Sequence, residues 1–67
     1  MFVYIVGVSG TIADFRVRLR AIEGARPVRD LPPDRVVLTL RSAADLPRLA
    51  ALEDVVSVTP DRLERPL

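Results

Sequence analysis

The chain opens on "FVYIVGV", a run of β-branched and aromatic residues with no polar break, which is the pattern of a strand. Ser9 and Gly10 interrupt it, and Thr11 stands three residues ahead of Asp14, as in a capping box with Asp in place of Glu. From there Ile12, Phe15, Leu19 and Ile22 recur at intervals of three and four and stack on one helical face. Asp14 and Arg18 have the spacing for an ion pair on another face. Gly24 is expected to close the helix through its tolerance of positive φ. "ARPVRDL" reads as a second strand, weakened by Pro27, which has no backbone donor. Pro32-Pro33-Asp34 is a turn, and "RVVLTLR" is the clearest strand in the chain.

Ser42 opens a second helix, "AADLPRLAAL", with Leu46, Leu49 and Leu52 facing inward. If Ser42 is the cap, Pro47 lies beyond the first turn and removes a hydrogen bond; with Asp45 as the cap, Pro47 falls in the first turn, where a proline costs little. A short helix whose regular part starts late is expected. "VVSV" is the last strand, broken by Thr59-Pro60-Asp61. The order strand, helix, strand, strand, helix, strand predicts an α+β, ferredoxin-like βαββαβ sandwich. Its antiparallel sheet has order 4-1-3-2 and carries both helices on one face. Pro27 and Pro60 then belong to edge strands, where a missing ladder donor is tolerable, and the two central strands contain no proline. The 67 residues form one domain, with a body over 1–61 and an extended tail over 62–67. A domain of this size buries only about 60% of its unfolded surface, so the core is thin and folding upon a partner is open to it.

The two faces of the sheet differ in character. With Val36, Leu38 and Leu40 directed to the helices, the opposite face of that strand carries Val37, Thr39 and Arg41, which is half polar. In the first strand both parities, Phe2/Tyr4/Val6/Val8 and Val3/Ile5/Gly7, are apolar or small, so one set must lie where no helix covers it. That is either a central strand sheltered by polar neighbours or a face that docks on a partner. In the last strand Ser57, Thr59 and Asp61 share one side, while Val56 and Val58 share the other and serve the core.

Composition removes several functions. The chain has no Cys and no His, which excludes a disulfide framework, a thiol site and the commonest general base and metal ligand. All ten basic residues are Arg, nine acids nearly balance them, and a net charge of +1 gives no field that would gather nucleic acid or anionic lipid. Aromatics for base stacking are confined to Phe2 and Tyr4 on the first strand, with none on the third. Asp30, Asp34 and Asp54 are scattered through turns with no metal-binding or acid/base arrangement, so no enzyme, cofactor or metal is expected. The N-terminal apolar run has no basic leader and is too short for a signal peptide or a membrane span; with Met1 as the native start, a cytoplasmic location is expected.

"VYIVGV" near the start, "RLAALEDVVSV" near the end, an Asp-containing step and a short extended terminus resemble the subtilisin propeptide and peptidase inhibitor family, in order and length over nearly the whole chain. The resemblance implies a ferredoxin-like domain that inhibits a subtilisin-like serine protease, assists its folding, or both. Its open sheet face would pack on two enzyme helices through Val3, Ile5, Val37, Thr39 and Ser57. Acidic side chains after the last strand would cap those helices, a role that falls to Asp61, with Thr59 where the family often has an acid. A carboxylate suits that place, since it accepts from unpaired helix N–H groups and favours the positive end of the helix dipole. Arg62, Leu63, Glu64, Arg65, Pro66 and Leu67 would lie product-like along the active-site cleft, with Leu67 in the main specificity pocket. Glu64 departs from the apolar residue that bacterial subtilisins commonly prefer there. The resemblance thus implies a protease partner, and the isolated chain is expected to be a monomer or weak dimer. The alternative reading is a small interaction or regulatory module on the same fold with no protease target.

Overall fold

The computed structural model describes residues 2–61. Strand β1 (Phe2–Val8), helix α1 (Ile12–Leu19), strands β2 (Ala25–Leu31) and β3 (Arg35–Leu40), a 3₁₀ turn (Ala43–Asp45), helix α2 (Leu46–Ala50) and strand β4 (Val55–Pro60) follow in that order. All strand pairs are antiparallel and the sheet order is β2-β3-β1-β4, the expected 4-1-3-2 arrangement. Tyr4, Val6 and Val8 of β1 join Val36, Leu38 and Leu40 of β3 in a core completed by Phe15, Leu19, Ile22 and Leu49. That single cluster fixes which parity of each central strand faces the helices. No helix among the described residues is long and apolar enough to cross a membrane.

Local chemistry explains the helix ends. The Thr11 hydroxyl accepts the Asp14 N–H at 3.1 Å, so Thr11 caps α1 as expected. Asp14 does not pair with Arg18; that guanidinium turns to Asp54, 3.0 Å away, because Asp54 is buried and requires a counter-charge. The helix also stops earlier than expected, at Leu19 with Arg20 as its cap, and no glycine in the described residues has positive φ. Gly24 is needed for closeness instead. A Cβ there would lie 2.7 Å from Asp45 Oδ2 and 3.1 Å from Arg41 Cβ. In the second half Ser42 and Asp45 open two elements in succession, but of the two only Ser42 caps with its side chain. Ser42 accepts the Ala44 N–H at 3.1 Å and caps the 3₁₀ turn, and Asp45 then begins α2, leaving Pro47 in the first turn.

The last strand is longer than the expected "VVSV", and it is irregular. It runs through Thr59 and Pro60, and the Asp61 N–H donates to the Val3 carbonyl at 2.9 Å, one ladder step further. That bond marks Val3 and Asp61 as a hydrogen-bonded pair, so the neighbouring Pro60 occupies a non-hydrogen-bonded site where its missing donor costs nothing. A bulge opposite the Gly7/Val8 step pairs Val8 with Val55 rather than Val56. Val55 and Val58 therefore pack on the core, while Val56, expected inside, is 66% exposed. In β2 a second bulge between Pro27 and Arg29 leaves Val28 unpaired and exposed.

The two βαβ halves are also related in sequence. "TIADF" and "RLRAIEGA" of the first half match "SAADL" and "RLAALEDV" of the second, with one extra residue, Val17, in α1. Gly24 and Asp54 are equivalent positions in this repeat, and each is specialised: one admits a neighbouring carboxylate, the other supplies one.

Replacing Gly24 with Ala is expected to cost about 1 kcal/mol, since the end of the Asp45 side chain can swing aside but Arg41 Cβ, 3.1 Å away, must give. Gly10→Ala, with nothing within 4 Å of its Cβ position, is expected to be neutral or to stabilise by about 0.4–1 kcal/mol through the unfolded state. Urea midpoints of the two variants check the contrast.

Candidate functional site

Strand register converts the open face of the sheet into three rows. Arg26, Thr39, Val3 and Asp61 stand side by side across the four strands; Arg29, Val37, Ile5 and Thr59 form the next row; Leu31, Arg35, Gly7 and Ser57 form the third. All five residues expected on the docking face, Val3, Ile5, Val37, Thr39 and Ser57, therefore share it, together with Thr59 and Asp61. The face has an apolar centre of Val3, Ile5 and Val37, hydroxyls and a carboxylate along β4, and arginines along β2 and at the start of β3. Val37 offers less surface than the alternation implied. It is only 7% exposed, flanked across the strands by Ile5 and Arg29, whose long stem can shelter an apolar neighbour while its charge stays in water. Val3 and Ile5 are half-buried and present the accessible apolar surface.

Two aromatics are excluded from this face. Tyr4 is buried in the core beneath the helices and Phe2 shares its parity, so the open face offers no aromatic ring on which a base could stack.

Gly7 shapes the third row. The Ser57 Oγ lies 2.6 Å and a Val56 methyl 3.5 Å from where its Cβ would be, so β4 side chains lean over the missing side chain. Beside it lies a hollow of about 230 Å³ lined by Ile5, Gly7, Arg35, Ser57 and Thr59. Its polar walls are one guanidinium and two hydroxyls. The side-chain hydrogen bonds and ion pairs among the described residues lie elsewhere, so these three groups, Arg26, Arg29 and the Asp61 carboxylate are not engaged within that part of the chain.

Arg26, Arg29 and Arg35 were not among the expected site residues; Arg35 follows from alternation, two positions before Val37, whereas the β2 bulge hides the pairing of Arg26 with Arg29. Strict alternation would put Arg26 with Asp30 and send Arg29 to the other side. The extra residue at Val28 places Arg26 and Arg29 together on the open face and turns Asp30 to the helix face, where Arg16 meets it at 3.1 Å.

A second polar cluster lies where β1 runs into α1 and β4 begins; there Ser9, Gly10, Asp14, Arg18, Glu53 and Asp54 line a hollow of about 310 Å³. Asp54 binds Arg18 through Oδ2, and its buried Oδ1 has no partner among the described residues. No group of three or more His, Cys, Asp or Glu among the described residues is placed to hold a metal ion. The cluster works as a clamp: the Asp54 carbonyl also accepts the Ser9 N–H at 2.8 Å, so one residue ties the β1 exit to the β4 entrance and to α1. The Asp54 side chain is 7% exposed and Arg18 is 47% exposed, whereas the Arg16–Asp30 pair is open to water on both sides. Arg18→Ala is therefore expected to destabilise the fold by about 1–3 kcal/mol, by leaving a buried carboxylate without its counter-charge, and Arg16→Ala by less than about 1 kcal/mol. Thermal unfolding of the two variants side by side provides the comparison.

The expected cleft segment, Arg62, Leu63, Glu64, Arg65, Pro66 and Leu67, lies outside the described residues; its point of departure does not. Asp61 leaves the sheet beside Val3, at the rim of the open face. No protein-family model matches the chain, and no curated protein or solved structure matches it.

Proposed function

We propose that the chain is an inhibitor, a folding partner, or both, of a subtilisin-like serine protease. It docks its open sheet face on the enzyme and lays residues 62–67 along the active-site cleft as a bound product would lie. One arrangement carries this reading: an edge strand beside an apolar sheet centre that no helix covers delivers the Asp61 carboxylate, unengaged among the described residues, to the rim of that face, with the chain continuing beyond it. The sequence resemblance to the subtilisin propeptide family points to the same partner.

In this mechanism the face and the tail have different duties. Val3, Ile5 and the partly sheltered Val37 supply apolar contact, and the Asp61 carboxylate, with Thr59 beside it, accepts hydrogen bonds from the unpaired N–H groups at the start of an enzyme helix. The tail adds backbone pairing in the manner of an extra strand, and Leu67 fills the specificity pocket. Specificity comes from requiring both contacts at once.

Purified protein is expected to inhibit a bacterial subtilisin and to leave a trypsin-fold protease unaffected, measured by residual peptidase activity. Asp61→Ala should weaken inhibition by about 1 kcal/mol, roughly five-fold, with the inhibitor's own unfolding midpoint unchanged. An equal loss of stability would make Asp61 a structural residue of the fold.

The tail is tested separately. The hydrophobic core closes within residues 2–61, so removal of Pro66 and Leu67 should leave circular dichroism and the unfolding midpoint in place. Inhibition should fall by about 2–4 kcal/mol, roughly 30- to 1,000-fold, through loss of the pocket-filling side chain and the adjacent backbone contacts. A truncated chain that inhibits as well as the intact one would remove the tail from the mechanism.

A further inference from the structure

We infer that the open face recognises an acid-bearing protein surface, with a partner carboxylate seated in the hollow over Gly7 between the Arg35 guanidinium and the Ser57 and Thr59 hydroxyls. The inference rests on the docking reading above and names the chemistry of the surface that docks. Three observations carry it. First, the charges on the face are sorted: Arg26, Arg29 and Arg35 occupy the β2 and β3 flank, and Asp30, the acid of the same edge strand, is turned away to the helix face and engaged by Arg16. Second, none of those three arginines has a carboxylate within salt-bridge distance among the described residues. Third, the flank continues into a hollow of about 230 Å³ whose polar walls are Arg35, Ser57 and Thr59 and which Gly7 lines with backbone alone, with the Ser57 Oγ 2.6 Å from where a Cβ would stand.

The chemistry selects the occupant. A guanidinium offers two parallel donors to a carboxylate, and two hydroxyls can donate to its remaining lone pairs, so among unmodified protein side chains Asp or Glu is the group that satisfies all three walls. A lysine would meet one cation and two hydroxyls, and its charge would face Arg35 directly. Nucleic acid would also be attracted to the arginines, but the face has no aromatic on which a base could stack and its centre is Val3, Ile5 and Val37. An apolar centre beside a basic flank fits an amphipathic helix that presents apolar residues along one stripe and acids along the adjoining one.

The test uses the full-length chain, isotopically labelled for amide NMR, and two helical peptides that share one apolar stripe, one with Glu and one with Lys along the adjoining stripe. A single-stranded oligodeoxynucleotide is the third probe. The Glu peptide is expected to move the amides of Ile5, Gly7, Arg29, Arg35, Val37 and Ser57, and the Lys peptide to leave them in place. Arg35→Gln, an exposed substitution, should weaken Glu-peptide binding about ten-fold or more. Gly7→Ala should do the same by filling the floor and turning the Ser57 hydroxyl. Equal response to both peptides, shifts confined to the helix face, or binding of the oligonucleotide in preference to the Glu peptide would each overturn the inference. Subtilisin inhibition by the same variants separates the two readings. Glu-peptide binding without inhibition of any subtilisin keeps the acid-binding face and removes the protease. Inhibition that survives Arg35→Gln unchanged, with no Glu-peptide binding, does the reverse.

Discussion

Two helices of eight and five residues can cover one face of a four-stranded sheet and no more. Every other property of this chain follows from that shortage. The covered face takes the residues that must leave water, from Val6 and Val36 to Phe15, Leu38 and Leu49, all at zero exposure. The uncovered face still belongs to a central strand, β1, whose side chains pack against neighbours on both flanks, and there β-branched Val3 and Ile5 fit the pleated surface. The structure answers part of the problem internally. Val37 is sheltered beneath its neighbours, and hydroxyls and arginines surround the rest. What remains exposed is the surface to which the functional readings attach.

The element order and the sheet topology were legible in the sequence because they rest on features that survive local irregularity: a β-rich run at each half's start, a capped helix, and prolines that only edge strands accept. The side of the sheet on which each residue of an edge strand lies was legible in part. From Ser57 to Asp61 the alternation is unbroken, and the placement of Ser57, Thr59 and Asp61 on the open face follows from counting by twos. Upstream of Ser57 the count fails. The bulge at Val55/Val56 exchanges their environments, and nothing in two adjacent valines tells which one the core will take. The same holds at Pro27-Val28-Arg29, where one extra residue moves Arg29 onto the open face and Asp30 off it. Bulges are set by pairing between distant strands, so a reading of each strand by itself does not contain them.

Other misreadings have the same root. Asp14 and Arg18 have helix-neighbour spacing, but Asp54 arrives from 36 positions away and offers a buried partner in place of a solvated one. The place of Gly24 after the helix suggests a need for positive φ, but its necessity is steric, set by Arg41 and Asp45 from the other half. The internal repeat was present in the sequence and is obscured by one added residue in α1 and by Pro47 in α2. Laid over the structure, it shows which positions have diverged: a glycine in one half and an ion-pairing aspartate in the other.

The two bulges also bear on how many molecules this chain can join. An open sheet ends in two rows of unpaired backbone groups, and a flat edge of that kind accepts another chain's strand and then another, without limit. Here the irregularity falls in both edge strands and in neither central one, at Val28 and at Val56. Each extra residue breaks the even spacing of donors and acceptors that a second copy would need to zip along the rim, and β2 also lacks the donor of Pro27. Growth through the edges is obstructed while the face stays open. A small protein can in this way keep an apolar surface available to one specific partner without assembling into fibres of itself.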